Sequence, residues 1–223
     1  MTSMTDMINH HLTDALLMAY SAGTLPEAFS LAVATHVSMC DECRARLGAY
    51  DTVGGALLDE SETATMEPGS LEATLALIAG SEEARGATAP CQVGSTDDVF
   101  PAPVRDYVGG GLDDVKWRPI GMGVKQAILP TVGDAEVRLL HIPAGVAMPD
   151  HGHTGTEITL VLKGAFIDDQ DRFARGDVEV ADEKVNHTPV ADIGEDCICL
   201  AATEAPLKFK GLMPRIAQPF LRI

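Results

Sequence analysis

The stretch His36-Val37-Ser38-Met39-Cys40-Asp41-Glu42-Cys43 decides how the first third of this chain folds. It reads H-x3-C-x2-C. On a helix, residues i and i+4 share a face, so His36 and Cys40 point the same way. Cys43 follows three residues later, near the start of the next helix, with Asp41 in position to cap it. A thiolate there is favoured by the helix N-terminus. Two thiolates and an imidazole at this spacing suit Zn²⁺, which takes sulfur at ~2.3 Å and nitrogen at ~2.0 Å in a tetrahedral site. Three ligands leave one position open. His10 and His11 are the other histidines of the first hundred residues, and one of them is the natural fourth ligand. The competing reading is a core histidine beside two buried cysteines. A C-x2-C pair in a reducing compartment favours the metal.

Outward from this stretch the pattern is helical. Thr13 caps a helix over Asp14 to Ala22, stopped by Gly23. Thr24-Leu25-Pro26-Glu27 has the form of a capping box and opens a second helix running to about Met39, with Phe29, Val33 and His36 along one side. A third helix begins near Glu42 and carries Leu47, Tyr50, Val53, Leu57 and Leu58, with Gly54-Gly55 as a point of bending or fraying. A fourth, shorter one runs from Ser70 through Leu71, Leu75 and Ile78 to Gly80. Three or four short helices in a unit of this size give a marginal core, which a structural metal ion would reinforce.

The whole chain has 223 residues, 33 acidic against 16 Lys+Arg, and a net charge of −17. That balance excludes direct nucleic-acid binding, which needs a basic face, and permits a basic protein partner. Residues 1–80 hold eleven Asp/Glu against Arg44 and Arg46 alone. No apolar run approaches the ~20 residues of a membrane span. Five unevenly spaced cysteines are no disulfide framework, and no secretory leader is evident, so the expected compartment is the cytoplasm.

His11-Leu12-Thr13-Asp14 followed by Ala34-Thr35-His36-Val37-Ser38-Met39-Cys40-Asp41-Glu42-Cys43-Arg44 resembles the zinc-binding anti-sigma domain, in particular that of the two-domain anti-sigma factors of the ChrR type. That pattern separates its first two histidines as His11 and His36 are separated. The resemblance therefore implies a zinc site of His11, His36, Cys40 and Cys43. It further implies a helical domain that binds a group IV (extracytoplasmic-function) sigma factor, one to one, and keeps it from RNA polymerase.

Residues 81–103 are small, polar and interrupted by Pro, without helical or strand periodicity, and read as a flexible linker containing Cys91. From 104 to 223 the pattern changes to short β-type runs between Gly and Pro signals: Val124 to Leu129, Val137 to Ile142, Glu157 to Leu162, Val178 to Ala181, Cys197 to Ala202 and Phe209. Such spacing predicts an all-β double-sheet barrel or jelly roll. Inside it, His151 and His153 are two residues apart and face one interior, Glu157 opens the next strand, and His187 comes later. Three imidazoles and a carboxylate make a mononuclear metal site.

Gly145, His151, His153, Glu157 and Gly164 stand at the spacing G-x5-H-x-H-x3-E-x6-G and resemble the first motif of the cupin superfamily. Gly176 and His187 match its second motif, which here lacks the internal Pro-x-Gly and the terminal Asn. The expected fold is thus α + β and multidomain: a zinc-bound helical bundle over 1–80, a linker over 81–103 and a cupin domain over 104–223. His151, His153, Glu157 and His187 are the second set of metal ligands. Zinc is implied there by the likeness to ChrR-type proteins, although the donor set admits other divalent metals. Cys197 and Cys199 share a face of an apolar strand and read as buried hydrophobes; His141 reads as an ordinary strand residue.

The resulting expectation is a regulator without catalytic residues: an anti-sigma factor whose cupin half senses oxidative stress, such as singlet oxygen or organic peroxide. The alternative is a metal-dependent, dioxygenase-like cupin enzyme carrying a regulatory zinc module.

Overall fold

The computed structural model describes residues 7–82, 99–169, 171–206 and 208–209. Four helices come first: α1 (Asp14–Ser21), α2 (Glu27–Met39), α3 (Asp41–Asp59) and α4 (Ser70–Glu82). Thr13 caps α1 as expected, its Oγ1 accepting from the Leu16 N–H at 3.3 Å. Two expected caps are replaced. The capping box of α2 does not form, because Thr24 Oγ1 donates to the Ala19 carbonyl and Glu27 reaches elsewhere. Asp41 is the first residue of α3 rather than its cap; Cys40 caps it, with Sγ accepting from the Cys43 N–H at 3.4 Å. Gly54 and Gly55 lie inside an α3 that continues to Asp59.

A fifth helix, α5 (Ala102–Val108), and a 3-10 turn (Leu112–Asp114) precede the strands. The sequence predicts a linker up to residue 103 followed by strands; α5 stands at that boundary instead. Pro101 ahead of α5 and the left-handed Gly109 after it delimit a short helix that a strand search passes over.

The strands are β1 (Arg118–Gly121), β2 (Val124–Leu129), β3 (Glu136–Ile142), β4 (His151–Gly152), β5 (Glu157–Lys163) and β6 (Ala165–Ile167). They continue with β7 (Arg172–Ala174), β8 (Val178–Ala181), β9 (Asn186–His187), β10 (Val190–Ala191), β11 (Cys197–Thr203) and β12 (Lys208–Phe209). A six-stranded antiparallel sheet has the order β1-β2-β3-β11-β5-β8, and two three-stranded sheets, β10-β6-β7 and β12-β4-β9, complete the double-sheet cupin fold. Strand β11 lies between β3 and β5 and is buried at every residue. Both of its faces are covered, so its sequence Cys-Ile-Cys-Leu-Ala-Ala is apolar without alternation.

The large sheet has two different faces. Val137, Leu139, Ile158, Leu160, Leu162, Ile198, Leu200 and Ala202 join Leu12, Leu17, Ala28, Phe29, Leu31 and Val33 of the helical part in one core. On the other face, Val124, Ile142, Val161, Cys197 and Cys199 pack with Phe166 and Phe173 inside the barrel. The helical part therefore shares its core with the cupin sheet, and α2 lies between them. Glu27 at the start of α2 accepts from the Tyr107 hydroxyl at 2.6 Å and from the Val132 N–H.

The remaining helical residues differ. From Asp51 to Gly80 every residue is exposed except Ser70, which is half-buried. Val53, Leu57, Leu58, Leu71, Leu75 and Leu77 are each between 56 % and 75 % exposed. No helix among the described residues is long and apolar enough to cross a membrane.

Candidate metal centres

The first site is assembled where α2 ends and α3 begins. The extended Cys40 between them turns the chain so that His36, Cys40 and Cys43 converge, and the segment before α1 brings in His11. One ligand atom from each of the four lies within 4.8 Å of the others. His11 Nδ1 is 3.3 Å from Cys40 Sγ and 3.7 Å from Cys43 Sγ. A tetrahedral zinc ion with sulfur at ~2.3 Å and nitrogen at ~2.0 Å puts neighbouring ligand atoms about 3.5 Å apart, so the donor set fits.

The imidazole of His36 is fully buried. Its Nδ1–H donates to the Gly176 carbonyl at 2.9 Å, and its buried Nε2 has no hydrogen-bond partner. Such an orphaned lone pair is costly unless an ion uses it. Burial pushes the His36 pKa down to about 4, and burial pushes the Cys43 thiol up to about 11. Metal-free, the site therefore holds a neutral imidazole and a protonated thiol, and metal binding has to expel the thiol proton. His10, the alternative fourth ligand, turns away: its ring lies tilted against Phe173, centroids 4.4 Å apart, and its Nε2 is 3.1 Å from Asp171.

The second site is built on the β12-β4-β9 sheet. Strands β4 and β9 pair His151 directly with His187, and His153 follows β4. The three imidazoles form a buried group with ligand atoms within 4.8 Å of one another. His151 Nδ1–H donates to the Pro149 carbonyl at 2.8 Å, which leaves Nε2 facing His187 Nε2 at 3.2 Å. Neither ring nitrogen of His153 has a hydrogen-bond partner. Two imidazole nitrogens turned on each other beside a third buried ring suit a shared cation. Glu157 stands at the edge of this group rather than within reach of all three rings. Its Oε2 is 3.5 Å from His153 Nδ1, while its Oε1 accepts from Thr159 Oγ1 at 3.0 Å.

Behind His187 the structure adds residues that the sequence reading did not single out. His187 Nδ1 lies 2.9 Å from Glu179 and 3.2 Å from Asp168, both buried. Burial opposes the charge on His187, yet the carboxylate of Glu179, followed by that of Asp168, outweighs it and raises the imidazole pKa to about 9. Ligating histidines are commonly oriented this way through their second nitrogen. The available signal was period 2: Glu179 is on the inward register of β8, opposite Thr159 of β5.

The geometry of the two sites can be compared with known proteins. Residues 108–206 match the family model described as the ChrR cupin-like domain. Over 216 residues the chain is 56 % identical to the anti-sigma-E factor ChrR of Cereibacter sphaeroides, covering 97 % of this chain and 99 % of the relative. This chain belongs to the ChrR family. A chain in the crystal structure of Rhodobacter sphaeroides SigE in complex with the anti-sigma ChrR superposes with a TM-score of 0.77 at 57 % identity, covering 88 % of this chain and 99 % of that one. The ChrR likeness thus extends over the helical part as well as the barrel.

In this ChrR-family chain Cys197 and Cys199 are buried with their Sγ atoms 3.4 Å apart. The Cys197 thiol and burial raise the pKa of Cys199 well above the usual thiol range. His141 sits on β3, with Nε2 3.2 Å from Asp196 and its ring edge-on to Trp117. Cys91 lies outside the described residues.

Proposed function

We propose that this chain is a cytoplasmic anti-sigma factor. It binds a group IV sigma factor one to one, withholds it from RNA polymerase, and releases it under oxidative stress such as singlet oxygen or organic peroxide. The observation that carries this reading is the exposed run over residues 51–80. It presents apolar side chains of α3 and α4 together with Asp51, Asp59, Glu60, Glu62, Glu67 and Glu72, and it contains no Lys or Arg. An apolar, purely acidic surface suits a basic partner whose own apolar faces need cover. Kinship with an anti-sigma factor over nearly the whole chain points the same way.

In this reading His11, His36, Cys40 and Cys43 hold zinc, and through it the α2–α3 corner. His151, His153, Glu157 and His187 hold a second ion, zinc or another divalent metal. A change in coordination at the second site is the proposed trigger, carried to the helices through their shared core. The domains divide functionally as 1–80 for sigma binding, 81–103 for connection and 104–223 for sensing.

The test is co-expression with a group IV sigma factor, followed by co-purification. A one-to-one complex is expected, and the double substitution Leu71→Asp/Leu75→Asp is expected to abolish it. Absence of any complex, or a complex indifferent to that substitution, overturns the reading.

A further inference from the structure

The first metal site takes its ligands from the helical part, but its geometry is held from the cupin side. Three contacts converge on the turn between β7 and β8, Arg175-Gly176-Asp177. The Gly176 carbonyl accepts from His36 Nδ1 at 2.9 Å. Asp177, only 1 % exposed, accepts on Oδ1 from the N–H groups of Asn9 at 2.7 Å and His10 at 2.9 Å, while its Oδ2 accepts from the Ala174 N–H at 2.8 Å. The Val178 N–H donates to the His10 carbonyl at 3.2 Å. The residue next in sequence is His11.

We infer that Asp177 and the Gly176 carbonyl are positioning groups for the first metal site, supplied by the cupin domain. The inference rests on the metal reading proposed above. Two of the four ligands depend on this turn. His36 is oriented through its second nitrogen, which leaves Nε2 free for an ion. His11 is positioned by a backbone clamp on the two residues before it, since three hydrogen bonds fix both sides of the His10 peptide unit. The two cysteines need no such help, because the α3 cap fixes them locally.

The close approach also accounts for the glycine. Gly176 has φ +91°, and a Cβ there would lie 2.6 Å from the Ile8 side chain. A glycine that belongs to the second cupin motif is thus used here to bring the helical segment onto the turn. The same turn leads directly into β8, whose Glu179 lies against His187. One short stretch of chain therefore touches a ligand of each metal site.

Orienting groups of this kind typically change metal affinity by about 10- to 100-fold when removed. The test uses the full-length chain loaded with cobalt(II), whose thiolate charge-transfer absorption reports a site with cysteine ligands, here Cys40 and Cys43. Competition with a chelator then gives the affinity of that site. Asp177→Ala is expected to weaken it at least about 10-fold, and Asp177→Asn, which keeps one acceptor oxygen, by less. Glu27→Gln, at the other end of α2 but on the same domain interface, is expected to leave it unchanged. Equal weakening by Glu27→Gln and Asp177→Ala would reduce the effect to general docking and overturn the inference.

An affinity of folded Asp177→Ala within twofold of the unsubstituted chain overturns it too. Absence of any thiolate band in the unsubstituted chain overturns the metal reading itself. Should Asp177→Ala fail to fold, amide exchange in the unsubstituted, zinc-loaded chain decides. The Asn9 and His10 amides are expected to be protected like those of the sheet, and fast exchange overturns the inference.

Discussion

Residues 12–47 and 51–80 both contribute helices and both are rich in Leu and Ala, yet they are used in opposite ways. The first stretch buries Leu12, Leu17, Phe29, Leu31 and Val33 in the core shared with the sheet and collects the candidate ligands His11, His36, Cys40 and Cys43 at its corner. In the second, no residue is buried. Helix α3 belongs to both, since Cys43 is fully buried at its start and Leu57 and Leu58 are exposed near its end. The difference separates what holds the protein together from what it presents to a partner. Substitutions in the first stretch should act on stability, and substitutions in the second on binding.

The largest expected effect is on the metal corner. Structural zinc in small domains contributes on the order of 10 kcal/mol. Cys40→Ser should therefore remove one equivalent of zinc and unfold the α2–α3 corner, with loss of sigma binding; metal analysis and co-purification check this. A Cys40→Ser protein that kept two zinc equivalents would break the comparison on its buried side.

Next come paired truncations. Phe29→Ala should cost about 3–5 kcal/mol of stability, as large buried side chains do. Leu75→Ala should change stability by no more than about 0.5 kcal/mol, as exposed sites do. The same Leu75→Ala should weaken sigma binding by about 2 kcal/mol if it is a central anchor. Urea unfolding and a binding titration give the two numbers, and a reversed pattern would invert the assignment of the two stretches.

The double substitution His151→Ala/His153→Ala should remove the second metal equivalent while leaving sigma binding in unstressed cells intact, and should abolish release under singlet oxygen. Unchanged release, measured with a reporter for the sigma factor, would remove the cupin site from the signalling path.

The smallest effect concerns the pin at the start of α2. The Tyr107 hydroxyl, and after it the Val132 N–H, hold the Glu27 carboxyl below its ordinary pKa. A carboxyl with a lowered folded value contributes stability above its unfolded pKa of 4.5 and loses it as pH falls through the folded value. Glu27→Gln should therefore be slightly less stable than the unsubstituted chain at pH 7, and the gap should close on acidification below 4.5. Urea midpoints across that range measure it; a gap that widened with acid would contradict the contact.

Much of this was legible in the residues. His36, Cys40 and Cys43 are close in sequence, and one helix turn plus one cap is enough to bring them together. The spacing of His151, His153 and Glu157 is similarly local. Caps were less legible. Thr24-x-x-Glu27 has the pattern of a capping box, but the Glu27 side chain is drawn to Tyr107, eighty residues away, so a local motif lost to a tertiary partner. Asp41 looked like a cap, yet the Cys40 sulfur already occupied that role. Helix α5 was missed because seven residues carry too little periodicity to distinguish from linker.

The sequence by itself determined the grouping of His36, Cys40 and Cys43 and of His151 and His153, the helical and barrel halves, and the acidic sign of residues 51–80. Those follow from short spacings and composition, which do not depend on what the rest of the chain does. Only the tertiary structure decided that α2 shares a core with the sheet, that His10 turns to Asp171 and Asp177 while His11 joins the cysteines, and that α3 and α4 keep their leucines exposed. These outcomes depend on contacts between residues distant in sequence, such as His10 with Asp171, 161 positions on, and no local pattern specifies which of several apolar faces a distant sheet will cover.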